Sequence, residues 1–255
     1  MLLIDKLSCQ SRLRYVNASE KLLYAVSALA LCIVSRSVKV AALVFIANGI
    51  LTVGKGGIPL SRYIKLLAVP AAFLIAGTAA ILVNVSKTPL DAFAFQAGEW
   101  YITGSVEGLY RALKLCATAF SAVSCLYFLS LNTVMTDILG ALRKLRIPTL
   151  LLELMLLIYR FIFVLSETAS SIMVSQQSRL GNKDFKTGMR SFGAMSASLF
   201  ILALRRSNAL YDAMESRCYD GSIRVLSREY PPRAAEIAGI MLFEAALILL
   251  WLLCG

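Results

Sequence analysis

Apolar side chains run through this sequence in long blocks, at 22–34, 40–53, 66–85, 111–131 and 234–253. One water-soluble core cannot absorb them all. A bilayer requires about 20 apolar residues for each crossing helix, and the blocks approach that length. The composition agrees: 58% of the residues are hydrophobic and the mean hydropathy is +0.73, against about 45–50% apolar in an ordinary soluble domain. The chain therefore reads as an integral membrane protein.

The first two blocks are short for spans. Arg36 and Lys39 mark a tight turn between them, so the pair reads as a helical hairpin whose missing length is made up by snorkelling of those two cations. Residues 54–59, Gly-Lys-Gly-Gly-Ile-Pro, break the chain. The third block is interrupted by Pro70, which membrane helices tolerate when neighbours satisfy the freed carbonyl. Residues 87–106 read as a polar outside loop, with Trp100 and Tyr101 suited to a headgroup boundary. Arg111 and Lys114 open the fourth block on one helical face, which should turn toward protein or the interface. Glu244 falls within the last block and needs a buried polar partner. The first block is expected as a retained span, because a charged stretch precedes it and no small-residue cleavage site follows.

The net charge is +11. Positive-inside topology accounts for it, since cytoplasmic loops collect Lys and Arg. No zinc-finger spacing or basic–aromatic pattern accompanies it, so nucleic acid is not an expected partner. The six cysteines, Cys9, Cys32, Cys116, Cys125, Cys218 and Cys254, form no Cys-x-x-Cys pair, and imply neither a disulfide framework nor a zinc site. Histidine is absent, which removes histidine-based acid–base or metal chemistry from this chain. No phosphate loop, nucleophile elbow or HExxH pattern occurs, so the chain is not expected to be an enzyme, nor to bind a cofactor or a metal.

From residue 132 the character changes. Charges become dense and apolar residues fall into helical periodicity: Val134, Ile138, Leu142 and Leu145 share one face. Ile147-Pro148 ends that helix. A helix beginning at Thr149 can run through Ser178-Arg179 to Gly181, about 45–50 Å. A half-apolar helix at 188–204 is rich in Ser, Ala and Gly, and continues through 205–217, with Gly221 placed to stop it. A basic loop follows at 222–233. The expected fold is all-α, a polytopic membrane protein with about five transmembrane helices. Its sections are 1–131 (about four spans), 132–233 (charged and amphipathic) and 234–255 (the last span). Placing 1–21, 54–65 and 132–233 on the cytoplasmic side gathers most of the Lys and Arg there.

Two short signals in this charged section are alike. Ser178-Arg179-Leu180-Gly181 and Ser216-Arg217-Cys218, the second followed by Tyr219-Asp220-Gly221, each put an arginine near a helix end with a glycine two or four residues later. A plain capping role is one reading, because arginine suits the helix dipole and glycine the cap. The other is that each arginine docks on a partner. Its planar fork can hold a carboxylate through two parallel bonds, and the small Ser178 and Ser216 let a surface come close.

Four stretches resemble the CbiQ-type transmembrane (T) components of energy-coupling factor transporters: residues 150–161 (LLLELMLLIYRF), 210–221 (LYDAMESRCYDG), 142–148 (LRKLRIP) and 17–23 (NASEKLL). The resemblance covers nearly the whole chain. It implies a non-catalytic coupling subunit of the cell inner (cytoplasmic) membrane, with the N-terminus and the coupling helices of 132–233 cytoplasmic. It implies as partners two ATP-binding-cassette subunits (CbiO-like), a substrate-binding membrane subunit (CbiM-like), an optional small accessory membrane subunit (CbiN-like) and membrane lipid. The implied cargo is cobalt or nickel, bound by another subunit. The family pattern is Ala-Arg-Gly at the ends of two coupling helices. Arg179 and Arg217 match its arginines, serine stands for the alanine at both sites, and Leu180 and Cys218 stand for the glycine. The ATPase-coupling residues are thus expected to be Ser178, Arg179, Gly181, Ser216, Arg217, Cys218 and Gly221. Two alternatives remain open at this point: a secondary transporter whose own site uses Glu244, Arg111 and Lys114, and a membrane scaffold that recruits a soluble partner.

Overall fold

The computed structural model describes residues 3–82, 84–86, 93–97, 100–104, 106–221, 223 and 230–254. The chain divides into two units, one of Leu142–Ser227 and one of Leu2–Ala141 with Arg228–Gly255.

In the larger unit a short helix α1 (Leu3–Gln10) and a 3-10 turn (Arg12–Tyr15) lead into α2 (Ala18–Ser35), where Asn17 caps the first turn by accepting from the Ser19 amide. The chain turns at Arg36, φ 44, and climbs again as α3 (Val38–Gly49). That helix continues as a π-helical turn (Ile50–Lys55). Then come α4 (Leu60–Leu82, containing Pro70), α5 (Val106–Asn132) and α6 (Met135–Lys144), and at the far end α9 (Ala234–Cys254). Helix α5 is the hub: α1, α2, α3 and α4 all pack on it, while α9 packs on α2 and α3.

Small residues allow this close packing. Ala25, Ala28, Cys32, Ala41, Ser121, Ser124 and Cys125 are buried, with Tyr24, Val40, Val44, Phe128 and Leu247 filling the spaces between them. Asn48 ties three helices together. It accepts from the Tyr24 hydroxyl at 3.0 Å and donates to Ser124 Oγ at 3.0 Å. Glu244 of α9 meets the Ser27 hydroxyl of α2, which supplies the polar partner its position required. Large apolar side chains face outward instead, such as Val69, Phe73, Leu242 and Leu253, as lipid-facing surfaces do.

Three observations differ from the sequence reading. The first concerns the polar, basic N-terminal stretch, which is built into the core. Leu7, Ser8, Ser11 and Lys21 are buried; the Lys21 ammonium donates to the carbonyls of Leu13 (3.0 Å) and Asn132 (2.9 Å), and Ser11 Oγ donates to Asn132 Oδ1 at 2.7 Å. A buried ammonium is tolerated because its protons are taken up by backbone carbonyls. Second, the expected polar loop at 87–106 contains short strands: β2 (Phe93–Ala97) and β3 (Trp100–Gly104) join β1 (Asn84–Ser86) in an antiparallel sheet of order β1-β3-β2. Val85 pairs with Ile102 and Phe95 with Ile102 on the other side. Aromatic and β-branched residues favour this pairing. The rest of 87–106, up to the start of α5, lies outside the described residues, as does the basic loop of 222–233 except for Ile223 and 230–233. Third, by length and composition seven helices among the described residues can cross a membrane. The expected five are among them; the other two are α7 (Thr149–Ser178) and α8 (Phe185–Glu215). The chain is a multi-pass helical membrane protein.

Candidate docking site at two helix tips

The smaller unit is built on two long helices. Pro148 precedes α7 (Thr149–Ser178), and its fixed φ of −52 starts the helix without costing an amide donor. Asp184 precedes α8 (Phe185–Glu215). At 30 and 31 residues, each is about 45 Å long. The helix expected at 188–204 and continuing through 205–217 is α8, which starts three residues earlier and ends two residues sooner, with Gly188 and Gly193 inside it.

Both helices end in the same way. At the end of α7 the Gly181 amide donates to the Gln176 carbonyl (2.8 Å) and the Leu180 amide to the Gln177 carbonyl (3.1 Å). At the end of α8 the Tyr219 amide donates to the Met214 carbonyl (3.1 Å) and the Cys218 amide to the Glu215 carbonyl (3.0 Å). A six-to-one bond enclosing a five-to-two bond is the Schellman motif, which uses up the last carbonyls of a helix and requires one residue in the left-handed conformation. That residue is Leu180 at the first tip and Cys218 at the second, both with φ 57. Each follows its arginine directly, so Arg179 and Arg217 occupy equivalent positions at the last turn, and both are exposed. Ser178 and Ser216 also correspond. Each hydroxyl donates to its own helix, to the Val174 carbonyl at 3.0 Å and the Ala213 carbonyl at 3.1 Å, and so presents a compact surface.

The glycines play other parts than the cap expected of them. Gly181 is the residue after the left-handed one. A Cβ there would lie 2.8 Å from the Gln176 carbonyl oxygen and 3.0 Å from Ser191 Oγ, so only glycine fits. Gly221 has φ +85 but lies three residues past Cys218, in open space. It bends the exit strand rather than closing the helix.

Each tip is fastened to the other helix. At the first, Ser191 of α8 donates through Oγ to the Gly181 carbonyl (2.8 Å), and Gln176 Nε2 donates to the Ser191 carbonyl (2.9 Å). At the second, Glu153 near the start of α7 accepts through both oxygens. Tyr219 OH donates to Oε2 at 2.6 Å and the Ile223 amide donates to Oε1 at 2.9 Å. The Glu153 side chain is buried. Its hydrogen bond holds the Tyr219 phenol above its ordinary pKa, because the bonded carboxylate disfavours a phenolate beside it. Helices joined at both ends in this way are antiparallel, and the two arginines stand at opposite ends of the pair.

All the site residues expected from the sequence thus fall at two places, Ser178, Arg179 and Gly181 at one and Ser216, Arg217, Cys218 and Gly221 at the other. Glu153, Gln176, Ser191 and Tyr219 were not singled out. The repeated Ser-Arg pair could have aligned the two tips and so pointed to Tyr219 opposite Gly181; nothing local could have supplied Glu153. Among the described residues no group of three or more Cys, Asp or Glu side chains is placed to hold a metal ion.

The family model described as "CbiQ: Cobalt transport protein" matches residues 10–228, which takes in both helices and both tips. The chain belongs to the CbiQ family. Among its relatives, the cobalt transport protein CbiQ of Rhodobacter capsulatus is 32% identical over 96% of this chain and 96% of its own length. A putative fused cobalt transport protein CbiMQ of Methanocorpusculum labreanum is 31% identical over 99% of this chain and 42% of its own length. The energy-coupling factor transporter transmembrane protein EcfT of Bacillus subtilis is 29% identical over 70% of this chain and 74% of its own length. As a CbiQ protein the chain is a membrane component of a transporter.

Proposed function

We propose that this CbiQ protein couples ATP hydrolysis in two cytoplasmic cassette ATPases to a substrate-binding membrane subunit, for uptake of cobalt or nickel. Arg179 and Arg217 each dock into a groove of one ATPase and pair there with a carboxylate. When nucleotide draws the ATPases together, the two tips follow, and the α7–α8 pair passes the displacement to the substrate-binding partner. The cargo is held by that partner and not by this chain. The fused relative, whose printed name joins CbiM to CbiQ, supports a CbiM-like protein as the neighbour.

The observation that carries this reading is the equivalence of the two tips. Two helix ends with one hydrogen-bond pattern, each presenting an exposed arginine at one position, suit two copies of one kind of partner. Topology adds a condition. Helix α8 starts a few residues after Arg179 and ends two residues before Arg217. A helix that crosses a bilayer has its ends on opposite faces. Both arginines therefore reach the cytoplasm only if α8 lies along the membrane surface, despite a composition that could span it. On this reading the crossing helices are α2, α3 with its π-helical continuation, α4, α5 and α9, with the N-terminus cytoplasmic.

The test is a doubly substituted R179A/R217A protein, co-expressed with its ATPase and substrate-binding subunits and reconstituted in proteoliposomes. Truncating one side of a buried charge pair costs about 2–5 kcal/mol, so ATPase attachment should weaken by about 30-fold or more at each tip. Nucleotide-driven metal uptake should be lost with it. Normal ATPase attachment together with normal uptake in the double variant removes the reading.

A further inference from the structure

We propose that Glu153 is a positioning residue that sets where Arg217 stands, acting through Tyr219 as a clasp between the start of α7 and the second tip. The proposal rests on the docking reading above for its functional consequence, but its structural half stands alone.

Tyr219 lies two positions after Arg217, and its amide is the one that closes the last turn onto Met214. Its side chain then reaches back to Glu153, 2.6 Å from Oε2, while Oε1 takes the Ile223 amide four residues farther on. One carboxylate thus grips the chain on both sides of the bend at Gly221, φ +85. A buried carboxylate is tolerated only when its lone pairs are engaged, and these two bonds engage both oxygens. Charged acceptors make the stronger hydrogen bonds. Without them the exit strand would be anchored only by the turn itself, and an exposed helix end frays. Arginine docking requires the guanidinium to be held near one position, because the chain otherwise loses ordering entropy on binding.

The two tips are held by different chemistry. At the first, Ser191 and Gln176 supply neutral bonds to main-chain carbonyls. At the second, an ionisable side chain does the work across 66 and 70 residues of sequence. The second tip can therefore be released without touching the first.

Hydrogen–deuterium exchange on the full chain in lipid nanodiscs reads this directly. In E153A the Tyr219 hydroxyl and Ile223 amide can turn to water, so the clasp opens while the helices stay packed. Exchange should rise most at the Ile223 amide, at least about tenfold, and less at the capping amides of Cys218 and Tyr219, with the amides of 176–191 unchanged. S191A should do the reverse. E153Q keeps a carbonyl acceptor and should restore much of the protection; Y219F, which removes one bond of two, should fall between. In the complete transporter, E153A should retain its ATPases yet move less metal per ATP hydrolysed, with E153Q nearer to wild type. Unchanged exchange at 217–223 in E153A overturns the proposal. So does equal acceleration at both tips, which marks general loosening, and so does faster exchange with an unaltered ratio of metal to ATP. R217A separates the two readings. It should leave exchange at Ile223 untouched while weakening ATPase attachment. If attachment stays normal in R217A, docking through that arginine fails, and the functional half of this proposal fails with it.

Discussion

Leucine in a left-handed conformation is expensive, and Leu180 makes the cost measurable. For an L-residue the left-handed region costs roughly 1–2 kcal/mol, because Cβ crowds the following carbonyl oxygen. Glycine escapes that cost and gives back about 0.5–1 kcal/mol through the greater freedom of its unfolded chain. The Leu180 side chain is 70% exposed at φ 57, so truncating it removes little packing. The balance for L180G is a gain of about 0.5–1 kcal/mol. The Gly181 amide, bonded to the Gln176 carbonyl at 2.8 Å, is the natural reporter, since it exchanges only when the tip opens. Its protection factor should rise about two- to fivefold in L180G. L180A is the control, because alanine keeps Cβ in the same crowded place and should give no gain. If L180A matches L180G, the effect comes from side-chain removal and the strain argument is wrong. If L180G lowers protection, the leucine is held by contacts of its own. C218G should behave as L180G does, read at the Tyr219 amide. Both substitutions move the tips toward the Ala-Arg-Gly pattern of the family, so a gain in tip stability should leave ATPase attachment intact.

G181A should loosen the first tip by about 1–3 kcal/mol, since its Cβ would meet the Gln176 carbonyl oxygen at 2.8 Å; exchange of 179–183 measures it, and the second tip should not respond. G56A should lower the thermal midpoint of the detergent-solubilised protein by several degrees, because the new Cβ would lie 2.4 Å from the Thr52 carbonyl oxygen and 2.5 Å from Asn132 Oδ1. The Tyr219 phenol has its pKa raised above the ordinary 10.0. A raised value means that its stabilising bond is complete below about pH 10 and is lost as pH rises through the folded-state value. The ultraviolet phenolate signal that distinguishes wild type from Y219F should therefore appear only above pH 10, and should shift toward 10 in E153Q. A midpoint below 10 in wild type contradicts the clasp.

Local pattern made part of this legible. The apolar blocks located α2, α3, α4, α5 and α9, because a span is a property of consecutive residues. The end of α7 was legible to within three residues: the helix expected to run through Ser178-Arg179 to Gly181 ends at Ser178. Non-local contacts were not. Lys21 reads as a cytoplasmic charge next to a span, and is buried because the carbonyls of Leu13 and Asn132 converge on it. Its environment is set by residue 132, which no window around residue 21 contains. Glu153 reads as an interruption in an apolar helix, and its partners lie far along the chain at Tyr219 and Ile223.

The tips divide along the same line. Their shape follows from a count of backbone hydrogen bonds over six residues, so it recurs at Gln176–Gly181 and Met214–Tyr219 although only Ser and Arg are shared in place. The glycines were expected to mark that turn, but a helix closes where its carbonyls are satisfied, and both helices close on the residue directly after the arginine. The arginine is thereby fixed directly before the left-handed residue, past the last residue of the helix, where its side chain is exposed. What differs between the tips is how each is tethered, and tethering depends on the other helix. A substitution in the tip itself should therefore change how well the turn forms, whereas one at Ser191 or Glu153 should change where a well-formed turn is held. These two classes are separable by exchange at the capping amides against exchange in the flanking strand. Finding that E153A opens the Tyr219 amide as much as the Ile223 amide would show that shape and placement are one property at the second tip.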